Sequence, residues 1–322
     1  PVEHIRQDAG GYIRDRAMTW DNEQETDWLV AKTGLAGAKW IEENYRRDNW
    51  LLWLDTFEIH EDWHPPQYYT DFYSPEYDGP DYTYPNYGYT DIYQPEHIAR
   101  LRACYSGEVS LTDRWFGHVL RQLELCSLLD DTMVIITSDH GMYLGEHNRM
   151  GKHTVDKTDP WPLYDEVSRL PWLMYIPGAA SPDATDACIQ PADILPTVLE
   201  LAGVPRGDWP QMDGTSLVPV MDGETDEVHE YIFTSCHSAQ GPGRIEHVPA
   251  LVNVHSADWT LCTGPADIWE PTLHHRPSDP HFCRNVIDKN PDEAARMQAA
   301  LIEFMQHKGA DEEYIEAYTP IG

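Results

Sequence analysis

Thr132 to His153 reads TMVIITSDHGMYLGEHNRMGKH, and its first seven residues decide the fold class. The run TMVIITS is short, apolar and rich in β-branched residues, and the turn-forming Asp130 and Asp131 precede it. That pattern suits a central strand of a parallel sheet, buried on both faces by helices. Ser138-Asp139-His140-Gly141 follows at once. In open α/β sheets ligands gather beyond the carboxyl ends of the strands, so Asp139 and His140 stand where a metal or anion site is built. A carboxylate and a neutral imidazole both ligate divalent cations, and glycine at 141 permits a tight backbone turn. Taken alone, an Asp-His pair after a strand is more often a helix cap or a turn.

The rest of the stretch adds two glycine-led triplets, Gly145-Glu146-His147 and Gly151-Lys152-His153. Lysine is scarce here, occurring only at positions 32, 39, 152, 157, 289 and 308. An ammonium at Lys152, close behind two candidate ligands, suits binding of an anionic ester oxygen and stabilisation of the charge that develops during transfer. A solvent-facing lysine on a hydrated loop has the same spacing.

Working outward, NWLLWLDTF (49–57) is apolar and short and predicts a second buried strand, with His60 just beyond its end. A histidine there is able to hydrogen-bond an ester oxygen or pass a proton, because its ordinary pKa lies near neutrality; an ordinary surface histidine is the alternative. His64, beside Pro65, reads as a loop residue. Residues 68–94 are dominated by Tyr, Pro, Asp and Gly and predict a long surface excursion. Apolar residues from Ile98 to Leu123 recur at helical spacing and predict one long amphipathic helix over 96–125, despite Gly107 and Gly117. Residues 171–176 predict a strand, and PADILPTVLELAG (191–203) a helix closed by a glycine cap. Beyond about Asp222 come short β-like runs at 231–234, 250–254 and 259–262, then a helix over 291–307. The expectation is an α/β fold with a mostly parallel central sheet flanked by helices over 1–225. A smaller C-terminal α+β subdomain, a small antiparallel sheet with a packing helix, would occupy 226–322.

Composition narrows the function. With 55 acidic against 22 basic residues the formal net charge is -33, so nucleic acid, which needs a basic face, is excluded as a partner. Such a surface repels itself and is best tolerated where salt screens it, which makes a salt-adapted protein one reading and an ordinary acidic protein the other. No apolar run is long enough to span a membrane, and no secretory signal is visible in residues 1–16. The six cysteines show neither a CxxC pair nor zinc spacing, so isolated thiols are expected, with a disulfide among the later four left open.

Three segments in order, FEIHEDWHPP (57–66), IITSDHGMYLGEHNRMGKH (135–153) and LYDEVSRLPWLMYIPG (163–178), resemble the motifs of the sulfatase family within the alkaline phosphatase superfamily. YSGEVSLTD, QPADILPTVLELAG, MDGTSLVP and the late HHRPSDPHFCRNVIDKNPDEAARM agree, so the resemblance runs from about Leu51 to about Gln306. It implies an alkaline-phosphatase-like α/β domain, incomplete in these residues, and a metal-dependent hydrolase of anionic esters, first of all sulfate esters. Asp139 and His140 match two of the family's metal ligands. Lys152, with His153 beside it, matches the substrate-binding lysine, and His60 matches the histidine near the leaving-group oxygen. The implied metal is divalent, calcium first, with manganese or magnesium as alternatives. The implied substrate is a small-molecule or glycan sulfate ester, with no nucleic acid or membrane partner. Many sulfatases carry Asn where this chain has His140. Histidine there is similar to the phosphonate monoester hydrolase and phosphodiesterase branch, which keeps that substrate class open.

The family's nucleophile is a Cys or Ser in a Cys/Ser-x-Pro-x-Arg motif, converted to formylglycine, and no such motif occurs in the 322 residues. The expectation is that formylglycine belongs to a further segment, and that these residues alone are nearly inactive and bind metal weakly. A non-catalytic descendant that keeps the fold as a binding module is the remaining alternative.

Overall fold

The computed structural model describes residues 22–81, 83–153, 159–178, 184–235, 251–266 and 268–318. They fall into two compact units: the described residues within 1–137, 142–151 and 171–180, and those within 138–141, 152–170 and 181–322.

In the first unit, α1 (Leu29–Asn44), α2 (Gln67–Tyr73) and α3 (Pro95–Leu125) form the helical layer. The long helix expected over 96–125 is α3. Its start is set by Pro95, whose fixed φ suits the first helical position, and by His97, whose Nδ1 accepts the Gln94 backbone N–H at 3.3 Å. Its apolar stripe buries two clusters: Leu111 and Trp115 with Trp28, Val30, Ala31 and Tyr69, and Leu101 and Cys104 with Trp63 and Met150. Each fully buried Leu or Val contributes about 1.5–3 kcal/mol. Gly107 lets the helix approach closely, since a Cβ there would lie 2.8 Å from Pro65.

Strand β1 (Gly88–Tyr89) pairs with β4 (Arg149–Gly151), which pairs with β3 (Tyr143–Leu144). Strand β2 (Val134–Thr137) pairs with β5 (Trp172–Tyr175). Both predicted strands exist, and the α/β class stands. The β2 pairing departs from expectation, however, because β2 and β5 run antiparallel, Val134 opposite Tyr175 and Thr137 opposite Trp172. An apolar run marks a strand but carries no information about the direction of its neighbour.

Two further expectations are corrected. Residues 49–57 form no strand, and Leu51 and Trp53 are 69% and 70% exposed. A strand needs a partner for its backbone N–H and C=O groups, and hydrophobicity alone does not supply one. Within the expected excursion at 68–94, α2 occupies Gln67–Tyr73, because Tyr69 and Thr70 bury against α3. Only those two of its residues are buried, which leaves no helical periodicity to read.

Glu108 on α3 is buried and accepts the His64 backbone N–H at 2.9 Å. Burial, with the Glu58 carboxylate nearby, pushes its pKa up to about 8. The folded state therefore holds this proton more tightly than the unfolded chain. The stability that follows is present in full below the ordinary carboxylate pKa and lost as pH rises towards 8. Glu108→Gln should flatten that dependence, with urea midpoints equal to or above wild type at pH 8 and no gain near pH 4. A parallel decline in both proteins would contradict it.

The second unit contains the antiparallel sheet β6 (Ile232–Ser235), β7 (Val252–His255), β8 (Trp259–Thr263) and β9 (Thr272–His275), in that order. Its helices are α4 (Asp165–Ser168), α5 (Ile194–Leu201), α6 (Val218–Met221), α7 (Pro291–His307) and α8 (Glu312–Ala317). The expected small sheet with a packing helix is present: Val252, Val254, Leu261 and Leu273 pack against Ala294, Met297, Leu301 and Met305 of α7. Alternate residues point the other way and are also buried. Among them, Asn253 donates to the Leu163 carbonyl at 2.6 Å, and His274 meets the Tyr164 ring. His255 sits between Thr234 and Thr260, each 3.0 Å away, and complete burial pushes its pKa down to about 3, keeping it neutral. The helix expected at 191–203 is a 3-10 turn followed by α5, with Gly203 at φ +69° closing it.

The five described cysteines are free thiols; Cys236, and Ala250 of the expected 250–254 strand, lie outside the described residues. No helix among the described residues is long and apolar enough to cross a membrane.

Candidate functional site

At the carboxyl end of β2 the chain passes through Ser138 into Asp139, His140 and Gly141. This tetrapeptide belongs to the second unit, as do Lys152 and His153. Gly141 is required by close approach: its N–H donates to the Val167 carbonyl at 2.8 Å, and a Cβ on it would lie 2.2 Å from the Glu166 carbonyl oxygen. Any side chain would push the turn off α4, and α4 follows Leu163 and Tyr164, which lie against the β6–β9 sheet. The sequence reading of Gly141 as a turn glycine is thereby sharpened into a packing requirement.

The Asp139 side chain is 85% exposed, and its Oδ1 accepts the His140 backbone N–H at 2.8 Å. His140 Nδ1 lies 3.0 Å from the Gly141 carbonyl oxygen, which can only accept, so Nδ1 carries the proton and Nε2 carries the lone pair. Lys152 Nζ lies 3.4 Å from that Nε2 and Asp139 Oδ2 lies 3.6 Å from it. The structure thus brings together three residues that the sequence singled out: a carboxylate, an imidazole lone pair and an ammonium. His153 is half-buried directly after Lys152. Two anionic or neutral donors beside one another fit part of a divalent-cation shell. No group of three or more His, Cys, Asp or Glu side chains suited to a metal occurs among the described residues.

The loop between β3 and β4 is held from α3. Arg102 donates to the Leu144 carbonyl at 2.8 Å and to Glu146 at 2.7 Å, and Glu146 also accepts the Leu144 N–H. Glu146 is therefore a structural residue of the β3–β4 loop. Gly145 and Gly151 adopt φ +112° and +103°, where glycine is favoured.

His60 belongs to the first unit and is described by itself. It lies in the irregular segment after residue 57, its ring 4.6 Å from Phe57. Its Nδ1 is 2.8 Å from the Glu61 carbonyl oxygen and 3.1 Å from Glu61 Oε2. Sequence reading missed Glu61; a carboxylate next to a candidate histidine was the available signal. His64 is a loop residue, as read, with its carbonyl accepting the Trp28 indole N–H at 2.9 Å.

The family profile described as Sulfatase matches residues 12–204, and the profile described as N-sulphoglucosamine sulphohydrolase, C-terminal, matches residues 152–310. The N-acetylglucosamine-6-O-sulfatase of Bacteroides thetaiotaomicron is 27% identical over 212 residues, covering 63% of this chain and 34% of that protein. Arylsulfatase K of Gallus gallus is 26% identical over 192 residues, covering 59% and 31%. Among solved structures, the phosphonate monoester hydrolase of Agrobacterium radiobacter superposes with a TM-score of 0.70 at 18% identity, covering 92% of this chain and 68% of that one. That likeness concerns the fold alone. The chain spans about a third of the length of the curated relatives it matches. With a Sulfatase profile covering more than half of its residues and the motifs in the family's order, this chain belongs to the sulfatase family.

Proposed function

We propose that the chain forms part of a metal-dependent hydrolase of anionic esters, first of all sulfate monoesters of small molecules or glycans. The observation that carries this reading is the cluster of Asp139, His140 and Lys152 at the end of β2. Asp139 and the His140 Nε2 lone pair would hold a divalent cation, calcium in the first instance. Such a cation, when bound, polarises an ester oxygen and screens its charge. Lys152, which contacts His140 here, would turn its ammonium to the anionic ester, with His153 lining the same segment. His60 would protonate the leaving-group oxygen. The nucleophile, a formylglycine, would come from sequence outside these residues. Residues 1–225 would carry this site, with 226–322 a subdomain.

A second reading, hydrolysis of a phosphonate monoester or phosphodiester, is favoured by one feature, the histidine rather than asparagine at position 140.

Removal of metal tests the proposal. Dialysis of the full-length protein against a chelator should abolish sulfate ester turnover, and calcium should restore it. In Asp139→Ala the metal content should fall and calcium should fail to restore turnover. Full turnover in protein shown by elemental analysis to be metal-free would overturn the metal assignment.

A further inference from the structure

We infer that Glu61 is a positioning residue for His60, holding its ring in the tautomer and orientation needed to donate a proton to a leaving group. This rests on the reading of His60 just given. Glu61 is 1% exposed, a rare position for a carboxylate that is not paired. Its Oε2 lies 3.1 Å from His60 Nδ1, and its Oε1 accepts a hydrogen bond from the Tyr87 hydroxyl. The backbone carbonyl of Glu61, 2.8 Å from the same Nδ1, can only accept. Nδ1 therefore carries a proton, donated to the carbonyl with the carboxylate oxygen 3.1 Å away as a charge neighbour, and Nε2 is the atom that gives or takes the second proton.

Tyr87 is fixed in turn. Its ring lies against Gly151, where a Cβ would come within 2.6 Å of it, and Gly151 directly precedes Lys152. Trp63, which donates to the Ile59 carbonyl at 3.1 Å and to the Thr83 carbonyl through its backbone, braces the segment on both sides of His60 and Glu61. His60 itself is 22% exposed at its side chain, so one edge of the ring reaches the surface while the Nδ1 edge is held. An arrangement of this kind, with a buried carboxylate behind an imidazole, orients the ring and offsets the positive charge of the imidazolium.

In the hydrolysis, an oxygen of the nucleophile supplied by sequence outside these residues forms a bond to sulfur while the bond between sulfur and the ester oxygen breaks, its electron pair passing to that oxygen. The oxygen takes the proton from His60 Nε2, and His60 is left neutral with its Nδ1 proton still directed at Glu61. Glu61 touches no reacting atom, and its contribution appears only where the leaving group needs that proton.

Leaving-group dependence separates this role from a merely structural one. In the full-length protein, kcat and KM are measured for 4-nitrophenyl sulfate, whose leaving group departs without protonation, and for an alkyl sulfate, whose leaving group needs it. Glu61→Gln should lower kcat for the alkyl ester by about 10- to 100-fold while leaving its KM, and turnover of the nitrophenyl ester, unchanged. Glu61→Asp should recover part of the loss, and His60→Ala should show the same dependence more steeply. Equal losses on both esters, or none on either, in Glu61→Gln would overturn the positioning role. If His60→Ala shows no leaving-group dependence, the reading of His60 falls and the role of Glu61 with it. If His60→Ala shows that dependence and Glu61→Gln does not, only Glu61 is overturned.

Discussion

Replacing Lys152 by alanine is expected to lower sulfate monoester turnover by the full-length protein by roughly 10²–10³-fold, the usual cost of removing one preorganised group that meets developing charge. The magnitude follows from the surroundings. The chain carries a net charge of -33, so an anionic ester approaches against the general field. Lys152 is half-buried and its ammonium is 3.4 Å from His140 Nε2. Metal content should be unchanged in Lys152→Ala, because Asp139 and His140 remain. Lys152→Arg keeps the charge in a wider, planar head and should recover only part of the rate. Unchanged kcat/KM in Lys152→Ala would remove this residue from the site.

The second large effect is on stability. Asp193 is fully buried between the 3-10 turn at Pro191–Asp193 and α5. Its two oxygens accept the backbone N–H groups of Gln190 and Thr215, each at 2.8 Å, and both lie 3.0 Å from His229 Nε2. One carboxylate thus joins three separate segments of the second unit. Gly214 is part of the same junction, since a Cβ there would lie 1.9 Å from the Ala192 carbonyl oxygen. Asp193→Ala strands two partly buried N–H bonds and a histidine, and should cost about 3–5 kcal/mol. A urea midpoint within error of wild type would contradict that assignment. Because Asp139 and His140 belong to the same unit, the variant should also lose, at lower denaturant, the metal proposed for them.

Both residues show how differently the sequence speaks about fold and site. Lys152 stands out as a candidate in the sequence because lysine is scarce and because Gly151 and His153 flank it in a recognisable motif, and the structure sets it beside His140. Asp193 was not: PADILPT reads as an ordinary helix start, and nothing in it reveals that Thr215 and His229 converge on the carboxylate. α3 and α7 were legible because their buried residues recur at helical spacing along many turns. β2 and β5 were visible as strands, but their antiparallel pairing was not, since direction is a property of two segments and periodicity belongs to one. The segment 49–57 shows the opposite failure: its apolar residues promised burial, whereas Leu51 and Trp53 stand exposed in irregular backbone. Glu61 escaped notice because a charged residue in FEIHEDWHPP suggests solvent, and only the structure reveals its burial behind His60.

The central claim is that the loop after β2 serves hydrolysis of a sulfate ester. It is tested most directly by comparing kcat/KM of the metal-replete full-length protein for 4-nitrophenyl sulfate, a 4-nitrophenyl phosphonate monoester and bis(4-nitrophenyl) phosphate. The account predicts preference for the sulfate ester, with that activity lost in both Asp139→Ala and Lys152→Ala. Preference for the phosphonate or the diester would transfer the site to the second reading, and absence of turnover on all three in folded, metal-bound protein would contradict the hydrolase account itself.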